Sequence, residues 1–417
     1  MSLSYFREFR LHWRALLASS IGHGAGLAVS AYVIGTFAPP LIQEFGWSKS
    51  DFALLGTATL LTLPVLPLIG RLTDLFGVRP VVTIGVIFLP LSYLALSEFN
   101  GRLSVFMTIA VLQVIIGTTT TSTVYSRLVA ERFERARGMS LAIMASAPAL
   151  AGAFAAPLLS DYIDEHGWRA GYRMMAAFSA GFGLVALAMI PKLGGRVLAA
   201  RVHRRARRDY RVILRHPAFW VIAGGIFLCN IPQALHGVQL KLMLLENGLD
   251  SAGAARVVSL YAIGVLVGRF ACGLALDRYP AHVVAAVSMA IPSVGMLMIA
   301  SPLDAPWVVA IAVALMGLSQ GAEGDVAGFL VMRHFDIGVY SSVLGIVIAS
   351  LGVASASGAA LLSMAFKYSD GYDTFLLWSA GGVLVGGLIF LLLGSSPARM
   401  ELNDAEARQS ADGEERI

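Results

Sequence analysis

Residues 70–80 read GRLTDLFGVRP and residues 273–280 read GLALDRYP, and each stretch closes an apolar run. In both, a glycine stands four residues before an aspartate: Gly70 before Asp74, and Gly273 before Asp277, 203 residues later. Other pairs keep nearly that spacing. Arg132–Phe133 answers to His334–Phe335 at an offset of 202, and Leu158-Leu159-Ser160 answers to Leu361-Leu362-Ser363 at 203. Several matches in one register read as an internal duplication. Six-helix halves related by an axis along the membrane normal are a carrier architecture.

The rest of the chain agrees with a membrane location. Of its 417 residues 57% are hydrophobic and 14% charged, and the mean hydropathy is +0.73. That is too little charge to cover a soluble surface. The apolar blocks have the length a helix needs to cross the hydrocarbon core. They predict twelve transmembrane helices in an all-α membrane protein. The first six spans fall at 15–42, 51–72, 79–98, 104–130, 138–162 and 171–191, and the second six at 217–245, 253–276, 281–300, 306–334, 338–366 and 374–394. Prolines such as Pro39, Pro40, Pro67, Pro148, Pro157, Pro232 and Pro292 inside these runs are expected to kink helices rather than end them.

The halves are expected to be two pseudo-symmetric six-helix bundles over 15–192 and 217–394. A basic stretch, 193–216, with Arg196, Arg201, Arg204, Arg205, Arg207, Arg208 and Arg211, reads as the linker between them. Residues 1–14 form a short basic amphipathic segment whose Phe6, Phe9 and Trp13 suit the interface, and 395–417 a polar tail. Of the 31 Lys and Arg, seven (Lys49, Arg102, Arg169, Arg173, Lys241, Arg256 and Lys367) fall on one side of the predicted spans. Arg269 falls deep inside a span, and the remainder fall in or beside the segments on the side of the termini. By the positive-inside rule both termini are cytoplasmic. The expected location is a multi-pass protein of a bacterial inner membrane, with no cleavable signal at the start.

Some chemistry is not expected. Cys229 and Cys272 sit in apolar runs away from any Cys or His cluster, so neither a metal site nor a cofactor is anticipated. There is no H-E-x-x-H, P-loop or G-x-S-x-G, so the chain does not read as an enzyme or as an ATP-driven pump. The basic linker, tethered between spans, suits anionic lipid headgroups rather than nucleic acid. Nothing calls for an oligomer, and a monomer is expected.

GRLTDLFGVRP resembles the loop 2–3 signature of the major facilitator superfamily, met by Gly70, Asp74, Gly77 and Arg79; Leu75 stands where that family usually has arginine, while Arg278 keeps the feature in the second half. FGWSKSDFALL (45–55), RFERARGMSLAIMASAPALAG (132–152) and DEHGWRAGYRMM (164–175) are similar to its monocarboxylate-porter and oxalate/formate-antiporter branch. The resemblance implies the major facilitator fold and alternating access. It also implies that Gly70, Asp74, Gly77, Arg79, Gly273, Asp277 and Arg278 form gates. Asp74 is expected to face the start of span 11 near Tyr340 and Ser341, and Asp277 the start of span 5 near Gly138 and Ser140, because a carboxylate is stabilised by the unpaired N–H groups of a helix N-terminus.

Arg269 is the first candidate for cargo contact. It lies eight residues before Asp277, about 12 Å deeper into the membrane. A cation there needs a wet cavity or a partner, and its fork fits a carboxylate. The branch carries a similar arginine in its eighth span. Glu323 and Asp325 lie near mid-span 10, and a rotation of about 200° between them sets them on different faces. One could pair with Arg269, and either could carry a proton; His23 is the third proton-coupling candidate. Tyr32, Gln113, Tyr125, Asn230, Gln233 and His236 are further substrate-binding candidates. The hydroxyls of Thr118–Thr121 are expected mostly to satisfy their own backbone. The branch's lysines in spans 1 and 11 are missing here. One permanent membrane cation suits a monoanion better than a dianion. The expected function is therefore secondary active transport of a small organic anion, a monocarboxylate, with protons as a coupling ion. An exporter of hydrophobic compounds is the alternative within that class, and a non-transporting membrane sensor the alternative outside it.

Overall fold

The structure, a computed structural model, describes residues 3–47, 61–190, 206–235, 238–301, 305–368 and 371–395. Among these, eleven helices are long and apolar enough to cross a membrane. The span predicted at 51–72 appears as α2 (Thr62–Phe76), and its first ten positions lie outside the described residues. In chain order the other elements are α1a (Leu3–Gly24), α1b (Leu27–Phe45), α3 (Val78–Ser97), α4a (Leu103–Gly117), α4b (Ser122–Arg132), α5 (Arg137–His166) and α6 (Trp168–Met189). The second half holds α7a (Pro217–Asn230), α7b (Val238–Glu246), α8 (Ser251–Leu276), α9 (Ala281–Ile299), α10 (Pro306–His334), α11 (Tyr340–Ala365) and α12 (Asp373–Ile389). A linker helix, Ala206–Arg215, precedes α7a.

Three spans expected to be continuous are broken. Span 1 stops at Gly24 and restarts at Leu27. Span 4 passes through a 3-10 turn at Thr118–Thr120. The two breaks meet: the Leu27 N–H donates to Thr120 Oγ1 at 3.0 Å. A Cβ at Gly26 would lie 2.7 Å from the Thr120 carbonyl, so only glycine allows this approach. Thr118 to Thr121 each donate a hydroxyl to the carbonyl three residues back, at 2.6–2.8 Å, which satisfies the backbone where the α-helical ladder fails. Span 7 tightens into a 3-10 turn at Ile231–Leu235 around Pro232, which has no N–H to give.

Each half packs on itself. In the first, α3 lies against α6 and α1a and α1b against α5; in the second, α8 and α9 lie against α10, and α9 and α7a against α12. Large apolar side chains remain on the outer faces, among them Ile84, Ile87 and Leu91 of α3 and Leu384 and Leu388 of α12. A contiguous apolar exterior of this kind is what a bilayer solvates. Across the halves, α2 meets α11, α5 meets α8 and α10, and α4b meets α10 and α11.

Helices α8 and α10 pack in extensive, close contact. Both carry a Gly-x-x-x-Gly step, Gly264 to Gly268 and Gly317 to Gly321. A Cβ at Gly321 would fall 1.9 Å from the Val265 carbonyl, and one at Gly268 would fall 2.0 Å from the Leu318 carbonyl. Small residues at this repeat let two membrane helices touch backbone to backbone. The contact fixes Arg269, next to Gly268, beside Asp325, just beyond Gly321.

Candidate functional site

Most of the hydrogen bonds that join the halves among the described residues gather at one end of the bundle. Asp74, at the end of α2, accepts the Ser341 N–H at 3.0 Å on Oδ1 and, on Oδ2, the Ser342 N–H at 2.7 Å and hydroxyl at 2.6 Å. These are the first N–H groups of α11, which have no partner within their own helix. Asp277 repeats the arrangement at α5: Oδ1 accepts from the Gly138 N–H at 2.6 Å, and Oδ2 from the Met139 N–H at 3.1 Å. The glycines ahead of the aspartates permit the approach. A Cβ at Gly70 would lie 2.1 Å from the Ser341 carbonyl, and one at Gly273 2.8 Å from the Gly138 carbonyl. Gly77 holds the turn at φ +84°.

Arg79 and Arg278 behave differently from these. Arg79 donates to the Ile190 carbonyl, beyond the end of α6, so it ties the first half to itself rather than to the second. Arg278 is exposed at its turn. The cation on Asp74 comes instead from Arg127 of α4b, fully buried, which also donates to Glu131 at 2.8 Å. Its neighbour Ser126 lies 3.1 Å from the Tyr340 hydroxyl of α11. Arg127 escaped the sequence reading; its signal was an arginine within the apolar run 104–130.

Deeper in the bundle Arg269 lies between the halves. Its Nη1 donates to the Ala145 carbonyl of α5, and its Nε to the Gly321 carbonyl at 3.2 Å. Nε stands 3.9 Å from Asp325 Oδ2, at the limit of an ion pair; the arginine side chain is 20% exposed and the aspartate 2%. Asp325 and Glu323 leave α10 on different faces. Glu323 accepts from Gln320 at 3.0 Å and lines a small cavity with Asn230, Gln233 and Met289. Gly324, between the two carboxylates, is exposed, with nothing within 4 Å of where a Cβ would be. His23 of α1a is buried, its Nδ1 has no hydrogen-bond partner among the described residues, and it lies within electrostatic range of Arg269.

The other candidates divide. Tyr32 is half exposed, its ring base against Gly152 of α5. Asn230 is buried, with its amide on the Ile226 carbonyl at 2.8 Å. Gln113 donates to Ser92 at 2.8 Å within the buried α3–α4a contact, and Tyr125 is fully buried against Gly22 of α1a. Those two lie inside the first bundle, apart from Arg269. His236 lies outside the described residues. The structure thus brings together Arg269, Asp325 and His23, with Glu323, Asn230 and Gln233 beside them on the α7–α9–α10 side.

Comparison with known proteins gives consistent results. The family model described as Major Facilitator Superfamily matches residues 24–235. Monocarboxylate transporter 13 of Bos taurus is 24% identical over 335 residues, covering 78% of this chain and 76% of its own. Monocarboxylate transporter 11 of Homo sapiens is 22% identical over 347 residues, covering 79% and 69%. Among solved structures, the E. coli fucose:proton symporter superposes with a TM-score of 0.70 at 15% identity, over 92% of this chain and 98% of that one. A proton:xylose symporter superposes at 0.68 and 14% identity, over 94% and 96%. At such identities these two likenesses speak for the fold.

Proposed function

The chain belongs to the Major Facilitator Superfamily, and from that premise we propose that it carries a small organic monoanion, a monocarboxylate, across the membrane by alternating access. It is a multi-pass membrane transporter of that superfamily and not an enzyme. The observation that carries the substrate class is Arg269. Its guanidinium sits at mid-bundle, held by carbonyls from both halves and paired to Asp325 only at 3.9 Å. Two carbonyl bonds fix the fork's position without neutralising it, so a carboxylate guest can complete the pairing. Relatives described as monocarboxylate transporters support the same class.

Protons are the proposed coupling ion. Glu323 and Asp325 are both buried, and Arg269 supplies one charge between them. A buried carboxylate needs a cation or a proton, so when a guest anion takes the arginine, a carboxylate is left to be neutralised by protonation. Charge asymmetry along the sequence supports placing both termini, and with them the closed end at Asp74 and Asp277, on the cytoplasmic side. The structure then corresponds to the state that faces outward.

The test is uptake of labelled monocarboxylates into proteoliposomes, with and without an inward proton gradient. Accumulation of at least one monoanion that collapses with the gradient is expected. Transport of uncharged hydrophobic compounds with no carboxylate flux would replace this assignment with the exporter, and no flux of either kind would favour the sensor.

A further inference from the structure

We propose that Tyr5 with Glu8, and Tyr210 with Asp209, are positioning residues of the gate: two lead-in helices act as matched latches, each rooted on its own half and hooked over the other half's gate. This rests on the carrier reading above and adds to it residues that lie outside the gate motifs. The starting point is an asymmetry. Asp74 has Arg127, but the register that pairs Phe133 with Phe335 pairs Arg127 with Phe329, a buried apolar side chain. Asp277 therefore lacks the arginine that serves its twin. In its place the Tyr5 hydroxyl, from the first turns of α1a, donates to Asp277 Oδ2 at 2.8 Å.

Glu8, one turn further on, accepts the N–H groups of Glu134, Arg135 and Ala136 at 3.0, 3.0 and 2.8 Å. Those residues lead directly into Gly138 and Met139, whose N–H groups hold Asp277. The same short helix thus grips both sides of one gate. Its root is on the first half, where Phe9, tilted, and His12, edge-on, pack against Phe133 with ring centroids 5.7 and 5.6 Å away. A departure from helical geometry at His12 (φ −111°, ψ 16°) separates the latch from the spanning part of α1a.

The linker helix repeats the design before α7a. The His216 ring packs tilted against Phe335 at 5.1 Å between centroids, which roots it on the second half. Tyr210 donates to the Pro67 carbonyl of α2 at 3.3 Å, and Asp209 pairs with Arg71 of α2 at 2.6 Å, both side chains under 10% exposed. Arg71 lies between Gly70 and Asp74, so this helix grips the first gate as α1a grips the second. Opening that end requires both crossings to break. The latches therefore set the equilibrium between the two facing states.

The experiment uses the full-length protein in lipid nanodiscs, with spin labels on R132C and Y279C in a C229S/C272S background. Arg132 and Tyr279 are both exposed, on opposite halves of the closed end. Tyr5→Phe removes only the hydroxyl, Glu8→Gln only the charge, and Asp209→Asn breaks the second latch. Each is expected to raise the long-distance population at least threefold, and Tyr5→Phe with Asp209→Asn to raise it further, with melting temperature showing that the variants fold. Distance distributions that match the parent in all three folded variants, while Asp74→Asn separates the ends, would overturn the proposal. The distance readout needs no substrate, so lack of flux in the parent would sink the carrier reading and leave the latches standing. In the flux assay the latch variants should change kcat with KM for the guest nearly constant; a change in KM alone would also count against the latches.

Discussion

Arg269 Nε and Asp325 Oδ2 stand 3.9 Å apart, close enough to attract and too far for a hydrogen bond. The pair comes from two helices joined glycine to backbone, so neither partner can relax far toward the other. An arginine held this way keeps part of its charge for a guest.

Replacing Arg269 by Gln is expected to lower monocarboxylate uptake at least a hundredfold, while Arg269→Lys should retain a few per cent. Lysine keeps the charge but loses the planar fork. Initial rates in proteoliposomes measure this. Uptake within threefold of the parent in Arg269→Gln would remove the arginine from the binding site.

Asp325→Asn and Glu323→Gln should separate binding from coupling. With Asp325→Asn the arginine loses its counter-charge, so the guest should bind several-fold more tightly while turnover falls. If Glu323 carries the proton, Glu323→Gln should allow exchange of labelled for unlabelled guest but abolish accumulation driven by a proton gradient. Exchange and gradient-driven uptake, measured on the same vesicles, distinguish the two. Gradient-driven accumulation that persists in both single variants and in the double variant would exclude the α10 carboxylates from coupling.

Asp74→Asn leaves the fully buried Arg127 with only the partly exposed Glu131 as counter-charge and weakens three bonds to the start of α11. Breaking a buried ion pair from one side typically costs about 3–5 kcal/mol. The variant should melt several degrees below the parent and populate the state open at that end. Adding Arg127→Met should restore part of the melting temperature, because the stranded charge is gone. A double variant less stable than Asp74→Asn would contradict this account of the pair.

Asp277, just beyond α8, has its carboxyl pushed above the usual carboxylate value by burial, against the opposing effect of bonds from Met139, Gly138 and Tyr5; Glu8 adds to the rise. Arg278 lies exposed beside it. In the open state this carboxyl is solvated and its value returns toward normal. The closed end binds the proton more tightly, so acidification from the raised value toward the ordinary one should favour closure. Distances across that end should shorten as pH falls in this window, and Asp277→Asn should remove its share of the dependence. Lengthening on acidification would reverse the assigned sign.

Much of this was present in the chain itself. Apolar blocks of membrane length give the spans, since hydrocarbon leaves a backbone little choice but helix. The Gly-x-x-x-Asp repeat pointed to the partners of Asp74 and Asp277, because the repeat geometry sets each carboxylate opposite a helix start in the other half, whose unpaired N–H groups stabilise it. Arg269 was conspicuous for the opposite reason: a charge in an apolar run must have a purpose.

Other features belong to the tertiary structure alone. That Arg127 faces Asp74, that Asp325 rather than Glu323 approaches Arg269, and that Gln113 and Tyr125 turn into the first bundle depend on helix rotation. Composition does not specify rotation when most faces are apolar. The breaks at Gly26, Thr118–Thr120 and Ile231–Leu235 arise where one span bonds or crowds another, as Leu27 does with Thr120. The grip of Tyr5 on Asp277 joins residues 272 positions apart. Sequence sets which groups must find partners, and only the packed chain decides which partners come within reach.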